Sequence, residues 1–163
     1  MRAVRPEVGA IISYRFLWPY DVDRGHDATE RTHPCVVLSA VEVAPEKYQV
    51  VACALTHRAK EGQVTVPVPE ALQTQGGLDG LPSYVVTNTL NSFDWPSSNV
   101  RERFPGDRSS IIWDRLPKDF LKAIELSVAV ERARGNVRTV DCAALQADLL
   151  QRRARVRERE RER

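Results

Sequence analysis

At 163 residues and 42% hydrophobic content, the chain has enough apolar material for one cored domain plus an appendage. No apolar run approaches the ~20 residues of a membrane span, and the N-terminus lacks the charged-then-apolar pattern of a secretory signal. The net charge of +2 is uneven: seven Arg and three Glu make Arg152–Arg163 a +4 tail and leave −2 for residues 1–151, which excludes the uniformly basic body that holds duplex DNA by its overall field.

The elements read in chain order. After a loose lead-in, Val8–Leu17 is a strand candidate ended by Trp18-Pro19-Tyr20. Asp21–Thr32 is a polar loop turning at Gly25; its length marks it as functional or mobile. Pro34–Val43 follows as a strand whose first residue lacks an N–H, and Cys35–Leu38 reads as buried on both faces. A turn at Pro45–Lys47 leads to a third strand, Tyr48–Leu55. Gln63–Val68 alternates as a half-buried strand, and Pro67 assigns it to an edge. Pro69–Gln75 is one or two helical turns, Gly76–Pro82 a loop and Ser83–Thr89 a strand. Asn88–Asn99 is polar with Phe93 and Trp95 in it, and Ser110–Trp113 is the last strand candidate, with Trp113 in the core.

Five or six short strands between Gly/Pro turns imply a mainly β fold, a small and strongly bent sheet or partly open barrel, followed by C-terminal helices. Pro117 suits a helix N1 position and Asp119 its first turn, while Phe120, Leu121, Ile124, Val128 and Ala129 recur at helical spacing. Gly135-Asn136 ends that helix, and Thr139 or Asp141 caps a second one that thins into the Arg/Glu tail. We divide the chain into a barrel domain with its terminal helix, 1–134, and a charged helical extension, 135–163. The tail is either a solvated helix face or a polybasic arm.

Two stretches carry chemistry. Arg31-Thr32-His33-Pro34 joins a polar loop to a buried strand, and Thr56-His57-Arg58 ends another apolar strand. If these strands are neighbours, a hydroxyl, two imidazoles and two guanidinia converge at one sheet edge. Cys35, Cys53 and Cys142 are odd in number with no metal-type spacing, which predicts free thiols in a cytoplasmic protein and no metal or other cofactor.

The chain resembles the MazF/PemK-type toxins. The resemblance rests on Gly9–Tyr14, His33-Pro34-Cys35-Val36-Val37-Leu38-Ser39, Ala52-Cys53-Ala54-Leu55-Thr56 and Leu81-Pro82-Ser83-Tyr84-Val85-Val86, in that order and spacing, over about residues 8–128. It implies an SH3-like barrel, of the kind shared with CcdB, with a terminal helix and a homodimeric assembly. The implied activity is that of a type II toxin: metal-independent, sequence-selective cleavage of single-stranded RNA, blocked by a cognate antitoxin protein. Thr56 matches the family's catalytic threonine. His33 stands where the family has a catalytic arginine, and Arg31 supplies that guanidinium only if the loop folds back. Fold alone does not settle activity, so a non-catalytic protein-interaction barrel and a gyrase poison remain as alternatives.

RNA cleavage by its own 2′-OH needs a base, positive charge on the phosphorane and an acid. His33 and His57 suit the proton transfers, Arg31 or Arg58 the charge, and Thr56 a phosphate oxygen. Trp18, Tyr20 and Trp95 either stack bases or fill core; Asn88 and Asn91 either read base edges or cap turns. The RNA-contacting candidates are thus Arg58, Trp18, Trp95 and Asn91. His26, in mid-loop, reads as solvated.

Overall fold

The computed structural model describes residues 4–25, 31–75 and 78–163; His26 and Gly76-Gly77, the start of the expected loop, lie outside that set. The described chain is mainly β, with nine strands in one sheet that does not close and helices that include a C-terminal one. The strands are β1 (Ala10–Tyr14), β2 (His33–Ala44), β3 (Lys47–Thr56), β4 (Thr65–Pro67), β5 (Tyr84–Val86), β6 (Thr89–Trp95), β7 (Val100–Arg101), β8 (Ile112–Arg115) and β9 (Arg138–Asp141). The helices are α1 (Pro19–Asp23), α2 (Glu70–Gln75), α3 (Lys118–Ala133) and α4 (Cys142–Arg161). The main path runs β4-β5-β3-β2-β1-β7; β6 joins β3, β8 joins β1, and β9 pairs in parallel with β6.

The continuous apolar runs of β1–β3 are explained by burial on both faces. Ala10, Ile12, Tyr14, Cys35, Val37, Val50, Ala52 and Ala54 point into one core cluster. Their alternates Ile11, Val36, Cys53 and Leu55 point into the other, where Phe120, Ile124 and Val128 lay one face of α3 on the sheet. The first cluster holds the aromatics, with Tyr14 stacked on Phe93 at 4.0 Å between ring centroids. All three thiols are free and buried. Burial pushes the Cys53 thiol up to about 12 and the Cys142 thiol to about 11, so both are inert at neutral pH.

β3 organises the sheet by changing partners along its length. Its first half, Tyr48–Ala52, pairs with β6, whereas Leu55 and Thr56 pair with β5. At the far end of the β2–β3 hairpin, Ala44 faces Lys47 across Pro45-Glu46. Proline at the first central position and a φ of 61° at Glu46 make this a type II turn.

The sheet has more strands than the sequence suggests. Thr89–Trp95 reads as polar, yet it is a buried strand because its polar groups find partners. Asn91 is wholly buried, and its Oδ1 and Nδ2 accept from the Leu17 N–H and donate to the Leu17 carbonyl, each at 2.8 Å. The Trp95 indole N–H donates to the Val4 carbonyl at 2.8 Å. Asn88 spans a turn instead, accepting from the Val64 N–H and donating to the Gly62 carbonyl. The polar stretch after Tyr20 begins with one turn of helix, seeded by Pro19 at its first position and by the Asp21 carboxylate on the Trp18 N–H. Ser110 lies in a 3-10 turn over Arg108–Ile111, so the last strand starts at Ile112.

Asp141, not Thr139, caps the final helix, its carboxylate accepting from the Ala144 N–H. Val140 and Cys142 belong to the first core cluster, while every residue from Gln151 to Arg163 is exposed. Among the described residues no helix is long and apolar enough to cross a membrane.

Asn91→Ala strands a buried N–H and a buried carbonyl of Leu17, each worth ~1–3 kcal/mol. We expect a loss of about 2–5 kcal/mol in urea unfolding; a loss under about 0.5 kcal/mol would contradict the placement of Asn91.

Candidate functional site

The β2–β3 register brings the two sequence candidates together. The β2–β3 ladder ends at Cys35 facing Ala54, and His33 and Thr56, each two residues beyond that pair, line the same cavity. His33 also faces Tyr14 on β1, and Thr56 faces Tyr84 on β5. Three neighbouring strands therefore end at one place. A cavity of about 680 Å³ opens there, lined by His33, Thr56, His57, Arg58 and, from farther along the chain, Asp79, Ser83, Arg103 and Trp113. A second cavity of about 450 Å³ shares His33, Thr56 and Arg58 and adds Trp18, Tyr20, Asp21, Arg31 and Lys60. A third, of about 490 Å³, shares Trp18, Tyr20 and Lys60 with the second and ends at Arg138. Successive cavities sharing walls form one groove, with His33, Thr56 and Arg58 on the ridge between the first two.

The two histidines differ chemically. His33 is half-buried, with its ring edge-on to Trp18 at 5.7 Å. Burial lowers its pKa below the ordinary 6.5, and the Arg31 and Lys60 charges push the same way against Asp21. It is a neutral imidazole at pH 7, able to accept a proton. His57 is more exposed, and both of its ring nitrogens face acceptors: Nδ1 lies 2.8 Å from the Pro82 carbonyl, and Nε2 lies 2.8 Å from the Asp79 carboxylate. A carbonyl only accepts, so Nδ1 directs its N–H to Pro82. The Leu81 N–H, followed by His57, holds the Asp79 carboxyl below its usual range.

Ser83 lies 3.3 Å from His57 Nδ1, so Ser83, His57 and Asp79 have the outline of a hydrolase triad. The hydrogen bonds argue against it. The Ser83 hydroxyl donates to the Leu81 carbonyl at 3.1 Å, and the facing His57 nitrogen is a donor, so no base takes the serine proton.

Thr56 is held locally: its hydroxyl donates to the Arg58 carbonyl at 3.0 Å and accepts from the Arg58 N–H at 3.2 Å. This closes the turn that aims Arg58 along the ridge. Lys60 donates to the Tyr20 hydroxyl and sits 4.4 Å over its ring. Arg103 lies 5.0 Å over the Trp113 ring. None of the ion pairs among the described residues uses Arg58, Lys60 or Arg103. With Arg31 beside them and only Asp21 and Asp79 as acids, the two cavities on this ridge suit an anion.

Of the expected site residues, His33, Thr56, His57 and Arg58 meet in the first cavity; Arg31 and the largely buried Trp18 line the second. Trp95 and Asn91 sit elsewhere. Both are core residues with their polar groups committed to backbone, and Trp95 lines a separate cavity with Val4 and Pro96. Trp113, expected in the core, packs half-buried against the second core cluster and also lines the first cavity. Ser83 lies in the Leu81–Val86 segment of the resemblance, which assigns it no role, and Arg103 and Asp79 gave no sequence signal, because only the fold brings their loops beside Thr56. Among the described residues no group of three or more His, Cys, Asp or Glu is placed to hold a metal ion. No family model matches the chain, and no curated protein matches it significantly.

We expect the His33 imidazole to titrate below 6.5 by NMR, higher in Arg31→Gln and lower in Asp21→Asn. Because its native pKa lies below the unfolded value, His33 should cost no stability above about pH 6.5 and reduce it as pH falls toward the native pKa. A midpoint at or above 6.5, or no response to Arg31→Gln, would contradict this environment.

Proposed function

We propose that the protein is an endoribonuclease that cuts single-stranded RNA without a metal ion, and that it acts as the toxin of a type II toxin–antitoxin pair. On this reading the sheet is an SH3-like barrel of the MazF/PemK type, a cognate antitoxin blocks the groove, and the protein works as a homodimer. One observation carries the proposal: a neutral histidine, a doubly hydrogen-bonded histidine, a threonine and two arginines, Arg58 and Arg103, line one cavity, with Lys60 in the adjoining one. The order and spacing of the motifs from Gly9 to Val86 support it.

The chemistry assigns each group a task. His33 takes the proton of the 2′-OH as that oxygen attacks phosphorus. Arg58, with Arg31, bears the charge that gathers on the phosphorane oxygens. Thr56 acts by fixing the Arg58 turn and thereby positions the guanidinium. His57 gives the proton on Nε2, shared with the exposed Asp79, to the departing 5′ oxygen. The O2′–P bond forms as the P–O5′ bond breaks, leaving a 2′,3′-cyclic phosphate and a 5′-hydroxyl. The family's arginine position is thus filled by a base, and the guanidinium comes from across the hairpin.

A second reading has its own support. The His57 nitrogens and the Thr56 hydroxyl already have protein partners, as they would in a barrel that only binds a protein through this face.

Incubation with a long unstructured RNA and a chelator separates the two readings. We expect discrete cuts from the wild type, at least 100-fold slower cutting by His33→Ala, and roughly 100- to 1000-fold slower cutting by Arg58→Ala. Thr56→Ala should be impaired through the turn it releases. No cutting by the wild type at micromolar concentration, or equal cutting by His33→Ala, would overturn the enzyme reading.

A further inference from the structure

We infer that Trp113 and Arg103 form a nucleobase-stacking subsite beside the proposed scissile phosphate, holding one base of a single-stranded polynucleotide. The inference rests on the ribonuclease reading for its substrate class, but on different residues. Trp18 and Trp95 are 6% and 4% exposed, whereas Trp113 is half-buried and lines the cavity that holds His33, Thr56 and Arg58. Its environment is not that of a well-satisfied core indole. The Trp113 Nε1–H is buried without a partner, although a buried tryptophan ordinarily finds one. Trp113 also packs against the second core cluster, a contact an aliphatic side chain would make without the orphaned donor.

The ring already carries a flat, cationic partner. The Arg103 guanidinium lies 5.0 Å over Trp113 and 5.4 Å from the Phe104 ring, and Phe104 is 60% exposed. Arg103 is itself exposed and has no carboxylate partner among the described residues. Single-stranded bases stack on aromatic rings and on guanidinium planes, and both surfaces are present here. Magnitudes decide which occupant the ring prefers. An exposed cation–π contact is worth about 2- to 5-fold, and base stacking on an aromatic about 5- to 150-fold. A base therefore takes the ring, and Arg103 moves to the adjoining phosphate. A duplex keeps its base faces stacked and does not fit this use, so the occupant is a single strand.

A short oligodeoxynucleotide tests the subsite without cleavage, since it lacks the 2′-OH. Titrated at low salt, it should quench the wild-type tryptophan fluorescence. Trp113→Phe should abolish the quench yet bind within 3-fold of wild type. Trp113→Ala and Trp113→Leu, the latter refilling the volume without a π face, should each weaken binding at least 5-fold. An abasic strand of equal length should lose a similar factor on the wild type and nothing further on Trp113→Leu. Arg103→Ala should reduce the salt dependence of binding by about one phosphate contact. No binding, binding by Trp113→Leu within twofold of wild type, or equal affinity for the abasic strand would each overturn the subsite. RNA cutting that Trp113→Leu leaves unchanged would also overturn it while sparing the ribonuclease reading; base-dependent quenching without RNA cutting would do the reverse.

Discussion

The pairing of β2 with β3 is the constraint on which the rest of the molecule depends. Its last pair, Cys35 against Ala54, leaves His33 and Thr56 two residues beyond on the same cavity wall, although 22 residues separate them in the chain. The register is held from both sides: Cys35, Val37, Ala52 and Ala54 fill one core cluster, and Val36 and Cys53 the other. A slip of one residue would exchange the two sets and part His33 from Thr56. Where β3 exchanges β6 for β5, Thr56 meets Tyr84, and the chain before Tyr84 supplies Ser83, Pro82 and Asp79 to His57. The groove thus follows from one hairpin and one change of strand partner.

Two histidines at one cavity would be interchangeable if their surroundings matched, and they do not. His33 is kept neutral by burial and nearby cations, while His57 is held between a carbonyl and a carboxylate. The same hydrogen bonds dispose of the serine-hydrolase outline, because the Ser83 proton points to Leu81. The cations along the ridge add attraction for a phosphate chain without making the body basic, which agrees with a charge of −2 outside the Arg/Glu tail.

Sequence patterning reveals the inner strands well, because residues buried on both faces leave uninterrupted apolar runs such as Cys35–Leu38. It also shows that His33 and Thr56-His57-Arg58 sit at strand ends. It does not reveal β6, since Thr89-Leu90-Asn91-Ser92 is polar and becomes core only through hydrogen bonds to Leu17, 74 residues from Asn91. Trp113 is half legible: the indole packs against the second core cluster, as its apolar strand suggests, but it also lines a cavity that no local pattern marks. Asp79 and Arg103 were silent because each reaches the site through tertiary contact and no local motif marks it, and Ser83 sat in a motif that assigned it no role.

The most direct measurement of the central claim uses an RNA containing one cut site and its twin with a single 2′-deoxy nucleotide immediately 5′ to the scissile bond. The account predicts that the all-ribose strand is cut, leaving a 2′,3′-cyclic phosphate, while the deoxy twin binds equally well and stays intact. Cutting of the deoxy twin at that bond, or binding of both strands with neither cut, would contradict it.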